Sequence, residues 1–298
     1  MKNSLSALPC FIQVENISTI SSGLSQSCFK ISADNQIYFA KTISDNTEVS
    51  VTICASKSGL SPNVIYHDQH WLISNFIDAN NLALNALSID EKIHHTIKLM
   101  VQCHQLNIKP AELAIEDIVN SLVSHSHYST LQKTALLELA NLIIMPLNDS
   151  RNGVCCHGDL NFSNVLINQA QSTWLIDYGC ACTAPIEYDL AMFIAVNNLT
   201  SNEVTIIIKQ YELQSSLNVD PQLLNHYLLF CYFMNALWYF NAYKETMPIE
   251  KKQVLLKQTK KQWLALQSAL KVDDSPLLSR LSSKLTNILA TFDLNNQT

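Results

Sequence analysis

The chain has 298 residues, of which 48% are apolar and only 15% charged, and its net charge is −6. That length and apolar content suit one large domain or two lobes and exclude a disordered chain. Lysines and arginines number 19 against 25 acidic residues, with only Arg151 and Arg280 among the arginines, so the clustered positive charge of a nucleic-acid groove is missing.

In chain order, the N-terminus offers one lysine and a short apolar stretch broken by Pro9, too irregular for a secretory signal. The first 80 residues read as strand-rich. "FIQVENIS", "SCFKISA", "QIYFAKTI" and "HWLISNFI" are short, rich in β-branched and aromatic residues, and bounded by polar turns. "ADNQ" at 33–36 reads as a hairpin turn. Residues 46–58 suit a short helix stopped by Gly59 and Pro62.

Beyond residue 80 the pattern turns helical. Ser88 and Glu91 have capping-box spacing and open a helix to about Asn107. Helical stretches follow near 111–126 and 130–145. "NVLIN" and "TWLID" then alternate around the turn "QAQS" as a hairpin. Asp220-Pro221 and Ser275-Pro276 each pair an N-cap with proline at the first helical position. The expected layout is α+β: an N-terminal lobe over residues 1–78 with a small antiparallel sheet and one helix, and a larger helical lobe over 79–298. A cleft between two lobes is a natural ligand site.

Five glycines are present, and none of their spacings gives G-x-G-x-x-G or a P-loop. The nine cysteines include Cys155-Cys156 and Cys180-x-Cys182, without the C-x-x-C spacing of zinc or redox pairs. They read as reduced thiols of a cytoplasmic protein. Residues 227–243 carry no charge, but the run is short for a membrane span and contains Asn235 and Asn241. It reads as a buried helix, with no membrane partner.

Chemistry concentrates in "CCHGDLNFSNVLINQAQSTWLIDYG". Asp159 lies in a loop before the hairpin and can accept a proton from an attacking hydroxyl. Asn164 precedes the first hairpin strand and Asp177 follows the second, so antiparallel pairing brings the two together. A carboxylate and an amide oxygen are ligands for a hard divalent cation such as Mg²⁺. One base and two metal ligands suit phosphoryl transfer, which needs little covalent chemistry from the protein.

The series His157-x-Asp159, Asn164 and Asp177 resembles the protein-kinase catalytic set. The form H-G-D-L-x-x-x-N-V-L, then I-D-x-G, then D-L-A with Asp189 in "EYDLAMF", resembles the aminoglycoside phosphotransferase and choline kinase superfamily, which includes thiamine and choline/ethanolamine kinases. The resemblance implies a bilobal protein-kinase-like fold with ATP and Mg²⁺ as cofactors. Asp159 would be the catalytic base, and Asn164 and Asp177 the metal ligands. His157 and Asp189 would be structural.

In the N-terminal lobe, "SSGLSQSCFKI" resembles the phosphate-covering turn, with Gly23 kept but Ser22 and Gln26 departing from the usual Gly and Asn. Lys41 in "YFAKT" would hold the α/β-phosphates, with Glu48 as its ion-pair partner. The backbone of Asn75, Phe76 and Ile77 would face adenine. His104 matches a helix-end histidine of the family and reads as structural.

The implied acceptor is a hydroxyl on a small, cationic molecule. Aromatic residues crowd the helix after Asp220, and Trp238 and Tyr239 are its candidate cation-binding faces. Choline kinases carry Glu two residues after the metal-binding Asp, whereas this chain has Asp177-Tyr178-Gly179. That departure is closer to the aminoglycoside-type and protein-kinase forms; thiamine or choline/ethanolamine leads on the aromatic helix and the acidic balance, with aminoglycoside- or sugar-type acceptors behind. A catalytically silent nucleotide-binding regulator is the reading from another class.

Overall fold

The computed structural model describes residues 1–20, 27–43, 45–126, 128–147, 153–244 and 246–270. Gly23, Ser22 and Gln26 of the phosphate-covering turn, and the helix expected after Ser275-Pro276, lie outside the described residues.

After the short helix α1 (Lys2–Ser6), an antiparallel sheet forms from β1 (Val14–Ile20), β2 (Cys28–Ala33), β3 (Gln36–Thr42), β4 (Val64–His67) and β5 (Trp71–Asn75). The strand order is β1-β2-β3-β5-β4. The β2–β3 turn places Asp34 and Asn35 at φ 52° and 60°, the left-handed pair that a two-residue hairpin requires. One face of this sheet is apolar: Phe29, Ile31, Ala33, Ala40, Trp71 and Ile73 pack with Leu5, Leu8 and Phe11 of the N-terminal segment. Between β3 and β4 lies α2 (Asn46–Lys57), capped by Asp45, whose carboxylate accepts from the Thr47 N–H at 3.0 Å. Gly59 follows its end at φ 76°, a position that suits glycine.

The short β6 (Asn80–Asn81) leads to α3 (Ile89–His104), which opens with the Ser88/Glu91 capping box. Then come α4 (Ile115–Ser124), α5 (Thr130–Ile144), β7 (Val154–Cys156), β8 (Val165–Ile167), β9 (Thr173–Leu175) and β10 (Cys182–Ala184). Strands β8 and β9 form the expected hairpin, with β6 on the other edge of β8. The β7–β10 pair was not legible in the sequence, because three-residue strands carry almost no alternation. The chain continues through α6 (Ile186–Val196), α7 (Ser201–Ser215), α8 (Pro221–Ala242) and α9 (Ile249–Ala269).

The described chain falls into two compact units. The first takes in residues 1–112, 153–184 and 205–217, and the second takes in 113–152, 185–204 and 218 onward. The first unit therefore reaches well past residue 78. The β8–β9 hairpin belongs with the N-terminal segment because hydrogen bonds join it to the link between α2 and β4. Leu175 N–H donates to Leu60 C=O at 2.9 Å, and the Ser61 hydroxyl donates to Leu175 C=O at 2.8 Å. The α7 portion of this unit is anchored by Tyr211, whose hydroxyl meets His104 Nδ1 at 2.7 Å.

In the second unit, α8 packs against α6 and α9. Asp220 caps α8 through the N–H groups of Gln222 and Leu223, with Pro221 at its first position. Phe230 and Phe233 are fully buried core residues, and Phe233 meets Trp263 edge-on. The uncharged run 227–243 is thus mostly a core helix. Among the described residues no helix is long and apolar enough to cross a membrane.

Candidate active site

Lys41 is the organising charge. It sits on β3, is only 7% exposed, and pairs with the carboxylate of Glu48 and with Asp177 Oδ1 at 2.8 Å. Glu48 lies in the first turn of α2 and is 1% exposed, so it is not a solvated surface acid. Burial by itself lowers the Lys41 pKa, but Asp177 and Glu48 outweigh it, and the net shift is upward. The ammonium therefore stays charged at neutral pH. Strand β3, helix α2 and the end of the β8–β9 hairpin meet at this one cation.

The hairpin does what its spacing demands. Val165 pairs with Leu175, and Ile176 N–H donates to Asn164 C=O at 3.0 Å, which sets Asn164 beside the residue preceding Asp177. Asp177 itself has φ 70°, a left-handed conformation that Asp tolerates better than most residues. Its side chain is 49% exposed and uses Oδ1 on Lys41. Asn164 is 8% exposed. Its Nδ2 donates to Asp159 C=O at 2.8 Å and to Asp159 Oδ2 at 3.1 Å, so the amide oxygen points away from these bonds. That oxygen and the Asp177 carboxylate form a hard donor set, which fits Mg²⁺.

Asp159 is held by two amides, since Asn161 Nδ2 also donates to its Oδ1 at 2.9 Å. Burial pushes its pKa up and the charge of Asp177 adds to this, while the Asn161 and Asn164 bonds and His157 pull it down. The net shift is upward. Asn161 was missed in the sequence reading. Its signal was an Asx turn: its Oδ1 accepts from the Ser163 N–H at 2.9 Å and caps the short turn Phe162–Asn164.

His157 is fully buried and acts as a brace. Its Nδ1 accepts from the Asp159 N–H at 3.3 Å, so the ring proton sits on Nε2, which faces Ile176 C=O at 3.0 Å. One imidazole thereby ties the loop of Asp159 to the residue before Asp177. Tyr178 packs on the His157 ring at 4.8 Å, and its hydroxyl meets the Ser61 hydroxyl at 2.9 Å.

Gly158 completes the loop. It has φ 77°, and a Cβ there would stand 2.2 Å from Cys180 C=O. Gly158→Ala combines left-handed strain with that clash, so a loss of about 2 kcal/mol or more is expected. Thermal melting should fall by several degrees, and an unchanged melting temperature would show that the loop yields freely.

The N–H groups of Asn75 and Phe76 are taken by Asn63 C=O (2.9 Å) and Ile37 C=O (3.0 Å), so of the three hinge residues only Ile77 has an N–H left for a base. The strand register thus continues one residue past β5. Asp189 lies in the first turn of α6 and is fully buried, within the second unit. Trp238 is 43% exposed and Tyr239 half-buried, with rings 5.3 Å apart near perpendicular, also in the second unit.

Residues 107–222, which carry these motifs from His157 to Asp189, match the model of the phosphotransferase enzyme family. Among solved structures, a choline/ethanolamine kinase family protein from Mesorhizobium loti matches with a TM-score of 0.68 at 13% identity, covering 95% of this chain and 97% of its own. The choline kinase LicA from Streptococcus pneumoniae matches with a TM-score of 0.70 at 17% identity, covering 90% and 97%. The chain therefore shares its fold with these two kinases. A spectinomycin phosphotransferase in complex with ADP and spectinomycin also matches, with a TM-score of 0.57 at 16% identity, covering 92% and 94%. No curated protein matches the sequence. The structures share the fold over most of this chain, and the family model matches the stretch that holds the His157–Asp189 motifs.

Proposed function

We propose that the chain transfers the γ-phosphate of ATP, with Mg²⁺, to a hydroxyl of a small, cationic metabolite of the thiamine or choline/ethanolamine class. The observation that carries this reading is the buried Lys41 bridging Glu48 and Asp177, with Asn164 and the base Asp159 hydrogen-bonded beside it. Lys41 binds the α/β-phosphates, and Glu48 keeps its ammonium in place. Asn164 and Asp177 hold Mg²⁺, which when bound neutralises phosphate charge. Asp159 orients the acceptor hydroxyl and takes its proton. Its upward-shifted pKa makes it a stronger base than an exposed aspartate. His157 keeps the loop in shape. All nine cysteines are free thiols, which supports a cytoplasmic setting.

Two observations bear on the acceptor. The acidic chain and the part-exposed Trp238 and Tyr239 favour a cation held against aromatic faces. The Asp177-Tyr178-Gly179 sequence favours the second reading, an aminoglycoside- or sugar-type acceptor. Nucleotide consumption measured against thiamine, choline, ethanolamine, homoserine and aminoglycosides separates them. No turnover with any acceptor, alongside intact nucleotide binding, would favour a silent regulator.

Trp238→Leu or Tyr239→Leu is expected to raise the acceptor KM about twofold to thirtyfold, with the KM for ATP little changed, since a cation–π contact is worth ~0.5–2 kcal/mol. A fall in melting temperature with unchanged kinetics would instead make these residues core.

A further inference from the structure

The face of the β1–β5 sheet opposite its apolar core carries a second, unassigned cation. Side chains alternate along each strand, and paired residues share a face. Cys28, Lys41 and Leu72 are paired across β2, β3 and β5, as are Lys30, Phe39 and Ser74 one step along. Phe29, Ile31, Ala40 and Ile73 lie on the other face, in the core with the N-terminal segment. Lys30 and Phe39 therefore share the Lys41 face, displaced by two residues, about 7 Å, toward the end where β5 leaves the sheet. Phe76 continues the same alternation after Leu72 and Ser74, and its N–H bonds to Ile37.

Lys30 Nζ stands over the Phe76 ring, 4.3 Å from its centroid. Lys41 has two carboxylate partners, whereas Lys30 has no ion-pair partner among the described residues. The ammonium of half-buried Lys30, set over one aromatic ring with donors to spare, is a ready hydrogen-bond source for a flat, acceptor-rich molecule. If phosphates sit on Lys41, the base of the same nucleotide extends along this face toward Phe39 and Phe76, where rings can stack on it.

A lysine donor discriminates between purines. Guanine presents O6 and N7 as adjacent acceptors, whereas adenine places an amino donor beside N7. The N–H groups of Asn75 and Phe76 are already bonded within the sheet, which leaves the Ile77 N–H and the Lys30 ammonium as donors at this end of the face. We propose that Lys30, steadied on Phe76, reads the 6-oxo edge of a purine, so that the site takes guanine nucleotides at least as well as adenine nucleotides. This rests on the nucleotide-site reading given under the proposed function.

Titration calorimetry on the full chain, with Mg²⁺ and ADP, GDP or IDP as probes, tests it. GDP and IDP should bind at least as tightly as ADP. Lys30→Met should lower the GDP-to-ADP affinity ratio about tenfold, and Lys30→Arg should largely preserve it. ADP binding without GDP binding overturns the inference and leaves the nucleotide site standing. GDP binding without IDP binding also overturns it, because IDP keeps O6 and N7 but lacks the 2-amino group. That comparison needs no variant, so a misfolded Lys30→Met cannot hide the answer. A ratio unmoved in folded Lys30→Met overturns the role of Lys30. If neither ADP nor GDP binds, the nucleotide reading falls as well.

Discussion

Replacing Asp159 by Asn is expected to leave Mg-nucleotide binding nearly intact and to lower turnover by about 10²–10⁴-fold, the range for loss of a general base. The affinity survives because the proposed nucleotide and metal contacts belong to Lys41, Asn164 and Asp177. The rate does not, because an amide cannot take the proton of the acceptor hydroxyl. The substitution has a structural side as well. Asp159 accepts one bond from Asn161 and another from Asn164, and an Asn at this site can accept only one of them in place. Melting should therefore be measured alongside turnover. The parent enzyme gives a second reading. A base works deprotonated, and burial raises the Asp159 pKa, so kcat/KM should fall as pH drops through a value above the ordinary aspartate range of ~4. Near-normal turnover in Asp159→Asn, measured with the best acceptor, would remove this carboxylate from the mechanism.

Most of the element pattern was legible because its signals are local. The Asp34-Asn35 turn, the Ser88/Glu91 box and Asp220-Pro221 each act through bonds within four residues, and all three appear where the sequence places them. Long-range pairings were not legible. The Val154–Cys156 and Cys182–Ala184 strands gain stability from each other and from Pro110 and Ala111, which accept from the Thr183 hydroxyl and N–H at 2.7 and 2.8 Å. Nothing within either three-residue strand announces that partner. The membership of the first unit escaped for the same reason, since the bonds from Leu60 and Ser61 to the hairpin span more than 100 residues.

The candidate site divides along similar lines. Residue types and spacing suffice for Asp159, Asn164 and Asp177, because a tight hairpin leaves its ends little choice of neighbour. Spacing cannot supply the second layer. His157 was marked as structural, but that its ring joins the Asp159 loop to Ile176 depends on tertiary placement. Asn161, the Ser61–Tyr178 bond and the Lys30–Phe76 contact are likewise visible only once the chain is folded. The hinge shows the converse. Asn75 and Phe76 look like free extended backbone in sequence, yet the sheet has already used their N–H groups.

Asp177→Ala is expected to abolish Mg²⁺-dependent nucleotide binding. Asp177 supplies the full negative charge of the proposed metal-ligand pair, whereas Asn164 supplies a neutral oxygen. The same carboxylate holds Lys41 at 2.8 Å, so its removal leaves that ammonium paired with Glu48 alone and draws it away from the hairpin. Alanine also tolerates φ 70° less well than aspartate does. Asp177→Asn keeps the backbone preference and separates charge from conformation: it should recover the melting temperature but not the metal dependence. Asn164→Ala should weaken metal binding less and lower turnover more than its metal contact accounts for, because it also frees Asp159 of two hydrogen bonds. Calorimetry with ADP, with and without Mg²⁺, reads all three variants. If Mg·ADP binds Asp177→Ala as it binds the parent, the end of the hairpin is not where the metal sits, and the pairing of Asp177 with Lys41 is a structural ion pair only.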